Sequence, residues 1–352
     1  MASTQADGID PWYLANLICP VDGSPLRYAD RCLVSAAGRP YPIVDGIPVM
    51  LVRDADQTIS VADASWQSVD AAAAGELNDP YFIETIGVSP QEREQLRELI
   101  RQKTSLVDPV VSFLVAATNG NMYKHLIGRL KEYPIPKIRL PPGGGKTLLD
   151  VGCNWGRWCI AAAREEYSPV GIDPSLGAVL AADRVAKQLG VKAKFVVGDA
   201  RFLPFKPGTF DVGFSYSVIQ HFSRQDAESS IRALGSVLKP GGSAFVQMPT
   251  VFGVRCLYHQ LRRGFSEGSG FDVRYWTIPA LKRLFTDAIG ASSVLVDCYF
   301  GIGLQPSDAR FMPWHFRAAM FASEGLRRVS GLVPPLKYLA DSVYVLSEKR
   351  KI

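Results

Sequence analysis

The chain has no apolar run approaching the ~20 residues that a bilayer-spanning helix requires, which excludes a helical integral membrane protein. Its charge is nearly balanced, at +5 over 352 residues, too mild to mark a nucleic-acid binder by itself. A cysteine framework is also lacking. Cys19, Cys32, Cys153, Cys159, Cys256 and Cys298 are scattered without regular spacing, so reduced thiols are expected rather than a disulfide scaffold. The opening MASTQADGIDPW has neither basic residues before an apolar stretch nor a cleavage site; no signal peptide is expected, and the cytoplasm is the expected compartment. Two nucleotide signatures are missing too. Gly-x-Gly-x-x-Gly would need glycines where Asn154 and Arg157 stand, which disfavours a nicotinamide dinucleotide. Gly143-Gly144-Gly145-Lys146-Thr147 ends like a phosphate loop, but Leu140 holds the place of its first glycine and a strand follows where a helix is needed.

What is present is core material, 47% hydrophobic against 21% charged, arranged in four ordered signals. They read TLLDVGCNWGRW at 147–158, PVGIDPS at 169–175, KFVVGDARFLPF at 194–205 and FDVGFSYSVIQHF at 210–222. Each opens with an apolar, β-branched run of strand length and closes in Gly, Asp or Ser, with helical patterns between. Such alternation predicts a parallel sheet with helices on both faces and ligands at the carboxyl ends of the strands. The turn after Asp150 needs residues that tolerate positive φ, which Gly152 and Gly156 do freely and Asn154 better than most. One aspartate alone would be read as a turn former or helix cap. Asp150, Asp173 and Asp199, at the ends of three successive strands, form a pattern.

This order resembles the class I S-adenosylmethionine-dependent methyltransferases, in particular the methyltransferase type 11 group, over roughly residues 120–250. The resemblance implies an α/β, Rossmann-like seven-stranded sheet and S-adenosylmethionine as cofactor. It implies a cofactor site of Asp150, Gly152, Cys153, Asn154, Gly156, Asp173, Pro174, Asp199, Ala200 and Ser215. There Asp150 and the glycine turn suit the cationic methionine end, and Asp173 accepts the ribose hydroxyls through charge-assisted bonds. Asp199 accepts the adenine amino group, and Ser215 lies beside the methionine portion. Asn154 departs from the family, which has a second glycine there.

A small β-rich domain is expected over 1–52. LICPVDGSPL at 17–26 and RPYPIVDGIPVML at 39–51 flank a hairpin and resemble the zinc-ribbon-derived domain fused to, or partnering, some methyltransferases. The metal ligands are largely lost: Cys19 and Cys32 supply at most two of the four that structural zinc needs, so no metal is expected. Docking on the main domain, self-association or bounding the substrate site are its expected roles. Residues 53–80 read as a linker or loosely packed connection, and 53–135 as a linker with a helical extension. Ser89-Pro90-Gln91-Glu92 starts a capped helix; others are expected at 109–117 and 121–132. Tyr123 and His125 can line the site, although buried helix positions are the plainer reading.

The main domain is expected over 136–352, with a helix at 224–238, a fifth strand at 243–248, and family-derived strands near 294–300 and 343–347. Two insertions break the alternation. Segment 250–290 carries aromatics with Arg255, Arg262, Arg263 and Arg274, and is the candidate acceptor lid. Segment 302–341 carries Phe311, Trp314, Phe316, Met320 and Phe321 beside arginines, a stripe that either packs on the body or lies on a membrane surface. His221 is the histidine nearest the expected methyl position and the candidate general base; His259 and His315 are weaker candidates. The acceptor is expected to be a small molecule or glycan, methylated at a hydroxyl of a sugar or natural product. Nucleic acid is not expected, peripheral membrane contact and homo-oligomerisation stay open, and the alternatives are an RNA-modifying enzyme or a non-catalytic cofactor-binding subunit.

Overall fold

The computed structural model describes residues 9–53, 55, 61–73 and 89–351. At the N-terminus, Asp10 caps helix α1 (Pro11–Asn16), accepting from Trp12 N. A four-stranded antiparallel meander follows: β1 (Leu26–Ala29), β2 (Cys32–Ser35), β3 (Pro40–Val44) and β4 (Ile47–Pro48). Its last hairpin turns on Asp45-Gly46, both at positive φ (49° and 80°), the conformation that matches the twist of paired strands. Beyond β4 the chain joins the main sheet: Val49 bridges Val197 in parallel, and Met50 N donates to Val197 O at 2.7 Å. Tyr13, Leu17, Leu33, Tyr41 and Met50 share one core with the main sheet. Cys19 Sγ lies 3.1 Å from Tyr41 Oη.

Helix α2 (Val61–Ala73) lies where the sequence read as a linker. Val61, Ala62, Trp66 and Val69 recur at helical spacing, and all four are buried. Three of them (Ala62, Trp66 and Val69) pack with Leu176, Val179 and Leu180 of the main domain. The capping box at Ser89 and Glu92 forms as expected and starts α3 (Pro90–Gln102). Helix α4 (Pro109–Asn119) is capped by Asp108, and the element expected at 121–132 is only a 3-10 turn, Asn121–Leu126.

The main domain runs β5 (Thr147–Val151), α5 (Arg157–Arg164), β6 (Ser168–Asp173), α6 (Leu176–Gln188), β7 (Lys194–Val197), β8 (Phe210–Ser215), α7 (Arg224–Val237) and β9 (Leu238–Pro249). Then come α8 (Val254–Arg262), α9 (Ile278–Ala288), β10 (Gly290–Cys298), α10 (Trp314–Leu332) and β11 (Ser342–Lys349). The strand order is β10-β11-β9-β8-β5-β6-β7, with β11 antiparallel to both neighbours and the other adjacent pairs parallel. This is the Rossmann-like seven-stranded α/β sheet that the sequence resemblance implies. Alternate residues feed opposite faces: Leu149 and Val151 enter the core with α7 and α9, while Leu148 enters the core with α4, α5 and α10. The fifth strand starts earlier than expected, at Leu238, because the Lys239–Gly242 stretch is absorbed as a bulge between the Phe210–Leu238 and Val212–Ser243 pairs. Strand β10 likewise begins earlier, at Gly290.

From β5 the chain first builds outward through β6 and β7, then returns to add β8 on the other flank of β5. Between β5 and β8 is therefore a switch point, where connections diverge to opposite sides and leave a crevice at the strand ends.

Candidate functional site

A cleft of about 1130 Å³ occupies that crevice. Its floor is the turn after β5. Gly152 (φ +79°) sits so close to the β8 loop that a Cβ would lie 2.2 Å from Val218 Cγ2. Asn154 adopts the left-handed conformation, φ +44°, and its side-chain Oδ1 accepts from Trp155 N at 2.8 Å. Asparagine thus fills the place of the family's glycine by satisfying its own turn.

Asp173, at the end of β6, lines the cleft and ties it together. One carboxylate oxygen accepts from Asn154 N (2.9 Å) and the other from Ser175 N (3.0 Å). Burial pushes this carboxyl up to about 6 against those two hydrogen bonds. Ser65 of α2 reaches the same corner, its Oγ donating to Pro174 O (2.7 Å) and accepting from Leu176 N (3.0 Å).

Of the sequence-derived cofactor residues, Gly152, Cys153, Asn154, Asp173, Pro174, Asp199 and Ala200 line the cleft. Asp150, Gly156 and Ser215 lie beneath it. Ser215 Oγ donates to Val151 O at 2.9 Å, tying β8 to β5, and the cleft wall is made by its successors Tyr216, Ser217 and Val218. Asp150 is sealed in: Cys159 Sγ donates to Oδ2 at 3.4 Å, while Oδ1 has no partner among the described residues. Burial, with the Asp173 charge adding to it, pushes Asp150 up to about 7. Asp199 faces a different partner than expected. Its two oxygens are gripped by the guanidinium of Arg201, Nη2 to Oδ2 at 2.7 Å, and Arg201 reaches on to Asp226. Arg201 therefore competes for the oxygens that the adenine role expected of Asp199 would use. The signal was local: an arginine two residues after the aspartate.

His221 lies on the cleft wall, stacked flat on Phe271 at 3.9 Å between ring centroids. Its Nδ1 is 2.8 Å from Phe271 O, which can only accept, so Nδ1 carries the proton and Nε2 the lone pair. Gln220 Nε2 stands 3.2 Å from Nε2. Burial, followed by nearby Arg274, holds the imidazolium form below its usual range.

The insertion at 250–290 contributes Arg255, Cys256, His259, Phe271, Val273 and Tyr275 to the wall. Arg274 is turned away from it. It is buried, and its Nη1 donates to His221 O, Gly270 O and Asp272 O at 2.7–2.8 Å, pinning the insertion onto the histidine loop. Arg263 likewise holds Val273 O, and of the four expected arginines Arg255 alone lines the cleft. From 302–341 come Gly303, Leu304, Gln305, Asp308 and Asp341. Tyr123 and His125 fall outside the lining. Tyr123 is fully buried and donates to Asp308 (2.6 Å), while His125 Nε2 lies 2.9 Å from Phe311 O. His315 is exposed on α10, away from the cleft.

Among the lining residues that escaped the sequence reading are two on strands. Gln247 on β9 accepts from Ser217 N (2.9 Å) and holds that serine at φ +59°, an uncommon conformation fixed right at the wall. Asp297 on β10 is buried, with Arg139 (3.0 Å), Ser342 (2.8 Å) and Tyr216 (3.2 Å) on its oxygens, and burial raises its pKa. Neither sits in a turn motif, and both arrive from strands that pair long after the motifs end.

Residues 148–242 match the protein family described as a methyltransferase domain. The match defines this segment as a methyltransferase domain, and S-adenosylmethionine is the cofactor such a domain takes. Norajmaline N-methyltransferase from Rauvolfia serpentina is 39% identical over 99 residues, 27% of this chain and 33% of that protein. A ubiquinone biosynthesis O-methyltransferase from Ralstonia nicotianae is 34% identical over 105 residues, 30% of this chain and 43% of that one. A solved S-adenosylmethionine-dependent methyltransferase from Thermotoga maritima, described as a possible histamine N-methyltransferase, has 16% identity and a TM-score of 0.41, covering 60% of this chain and 84% of its own. The chain thus spans about a third to two-fifths of the curated relatives' length. No helix among the described residues is long and apolar enough to cross a membrane.

Proposed function

We propose that the chain is an S-adenosylmethionine-dependent methyltransferase acting on a hydroxyl of a small molecule or glycan, such as a sugar or natural product. The observation that carries the reading is the coincidence of the matched segment with the cleft at the β5–β8 switch point. The residues there fit the cofactor. Asp173 keeps lone pairs beyond its two backbone partners, so ribose hydroxyls can donate to it. The unpartnered Asp150 oxygen is an acceptor beneath the turn, and a cationic ammonium held above it would draw the carboxyl, raised to about 7, into its ionised form.

When bound, the cofactor supplies an electrophilic methyl on a sulfonium. The chain's task is to align the acceptor oxygen with that methyl and exclude water. Gln247 and the strained Ser217 fix the wall, and the 250–290 insertion roofs it through Phe271, Tyr275 and the Arg274 pin. Gln220, whose amide donates to His221 Nε2 in this structure, would swing off that lone pair, and Nε2 would then take the acceptor hydroxyl's proton on methyl transfer; the lowered pKa keeps it free of a proton at neutral pH. The N-terminal meander is, on this reading, a metal-free relic of a zinc-ribbon-like domain that now guards the β7 edge.

Calorimetric titration with S-adenosylmethionine and S-adenosylhomocysteine tests the proposal. Micromolar binding is expected, weakened at least about tenfold by Asp173→Ala. No binding by the intact chain, or equal binding by the variant, would overturn it.

A further inference from the structure

Among the described residues, every exposed large apolar side chain except Val21 and Leu106 lies between Phe252 and Leu339. The apolar surface therefore belongs to the part of the chain that contains both cleft-lining insertions. On α10 the pattern of an ordinary surface helix is reversed. Trp314, Phe321 and Leu332 recur after two and then three turns, so they stand in one line, and they are 75%, 54% and 85% exposed. Arg317 and Arg328 flank that line, while Met320, Ser323 and Ser330 face inward. Val333, Tyr338 and Leu339 prolong the apolar surface past the helix end. Helix α8 repeats the theme: Val254, Tyr258 and Leu261 are exposed, while Arg255 and His259 of the same helix line the cleft.

These pieces meet. Gly301, beside the exposed Phe300, packs on the Arg255 side chain, and Asp341 accepts from Arg255 N (2.8 Å) and Cys256 N (2.9 Å) at the start of α8. Tyr299 Oη donates to Leu336 O at 3.1 Å. The surroundings are predominantly basic, and the nearby acids Glu267 and Asp272 are paired with Arg224 and Arg263. From Val251 to Ser266 there is no acidic residue beside Arg255, Arg262 and Arg263. From Met312 to Ala340 the bases are Arg317, Arg327, Arg328 and Lys337, and the single acid, Glu324, is largely buried and bound by Arg327, Arg328 and Arg139.

We infer that this face docks on an anionic lipid bilayer surface, with the Trp314–Phe321–Leu332 line entering the headgroup region and the flanking arginines meeting lipid phosphates. A second copy is a poorer occupant, because a two-fold contact would set the same arginines against each other. If the methyltransferase reading holds, docking brings the mouth between Arg255, His259 and Phe271 to the interface, within reach of an acceptor that keeps an apolar tail in the membrane.

The test is sedimentation of the full chain with vesicles of phosphatidylcholine alone and of phosphatidylcholine with phosphatidylglycerol, at low and high salt. Expected is binding to the anionic vesicles that falls with salt, and a loss of at least about tenfold in Trp314→Ser/Phe321→Ser/Leu332→Ser and in Arg317→Glu/Arg328→Glu. These side chains are solvent-exposed, and unchanged circular dichroism and S-adenosylhomocysteine affinity verify that the fold survives. No binding to either vesicle, equal binding to both, or full binding by both variants overturns the inference. So does a dimer in analytical ultracentrifugation that both variants dissolve, since a second copy then covers the face. Vesicle binding by a chain that binds no cofactor would leave docking standing and bring down the functional reading alone.

Discussion

Asp150 offers a thermodynamic test of the site that needs no acceptor. One of its oxygens has no partner among the described residues and the other receives the Cys159 thiol at 3.4 Å. Its carboxyl is raised from 3.8 to about 7, by burial first and the Asp173 charge second. Because the folded-state pKa lies above the unfolded one, the folded protein holds this proton more tightly. Its contribution to stability is present in full below about pH 4 and is lost as pH rises through 7. The interval from 3.8 to about 7, at ~1.36 kcal/mol per unit, sets an upper bound of about 4 kcal/mol on the loss by pH 8. Asp150→Asn keeps the shape and cannot ionise. Urea unfolding of the ligand-free protein should show the wild type losing stability between about pH 4 and 8. The variant should lose less and end more stable than the wild type at pH 8 by on the order of 1–3 kcal/mol, the buried amide's own desolvation reducing the gain. Asp173, raised to about 6, titrates in both proteins and is coupled to Asp150, so the difference between the two curves reports Asp150 together with its effect on Asp173. Parallel curves across this range would refute the argument.

Gly152→Ala must place a methyl 2.2 Å from Val218 Cγ2 at φ +79°; a loss of about 1–3 kcal/mol in stability is expected from overpacking alone, with weaker cofactor binding by calorimetry. His221→Ala should lower turnover by about 10²–10⁴ while leaving cofactor affinity intact, and a drop under tenfold would remove the base assignment. For the wild type, the acid limb of the rate profile should fall below the ordinary histidine value of 6.5, since His221 is shifted down; a limb at or above 6.5 points to another group. Ser65→Ala leaves Pro174 O and Leu176 N without their partner, and denaturant unfolding should register about 1–3 kcal/mol.

The sheet was legible because β5, β6, β7 and β8 each announce themselves locally, as apolar runs closing in a turn residue, and the Ser89 cap is equally local. Helix α2 was missed because its many small and acidic residues masked a four-residue apolar stripe whose partner, α6, lies over a hundred residues away. The arginines of 250–290 illustrate the other limit. Sequence places Arg255 and Arg274 in the same basic, aromatic insertion, yet one lines the cleft and the other is spent on three carbonyls. Which of them is free depends on how the insertion folds over His221.

By itself the sequence determined the strand–helix alternation and the turn after Asp150, which rest on φ preferences and periodicity, and the cofactor class through the resemblance that the order of its short motifs carries. Only the tertiary structure decided which carboxylates meet the cleft and which are sealed under it, that Gln247 and Asp297 reach its wall, and that the apolar line of α10 points outward. Those outcomes depend on burial and on partners distant in sequence, and a side chain's solvation is a property of everything packed around it.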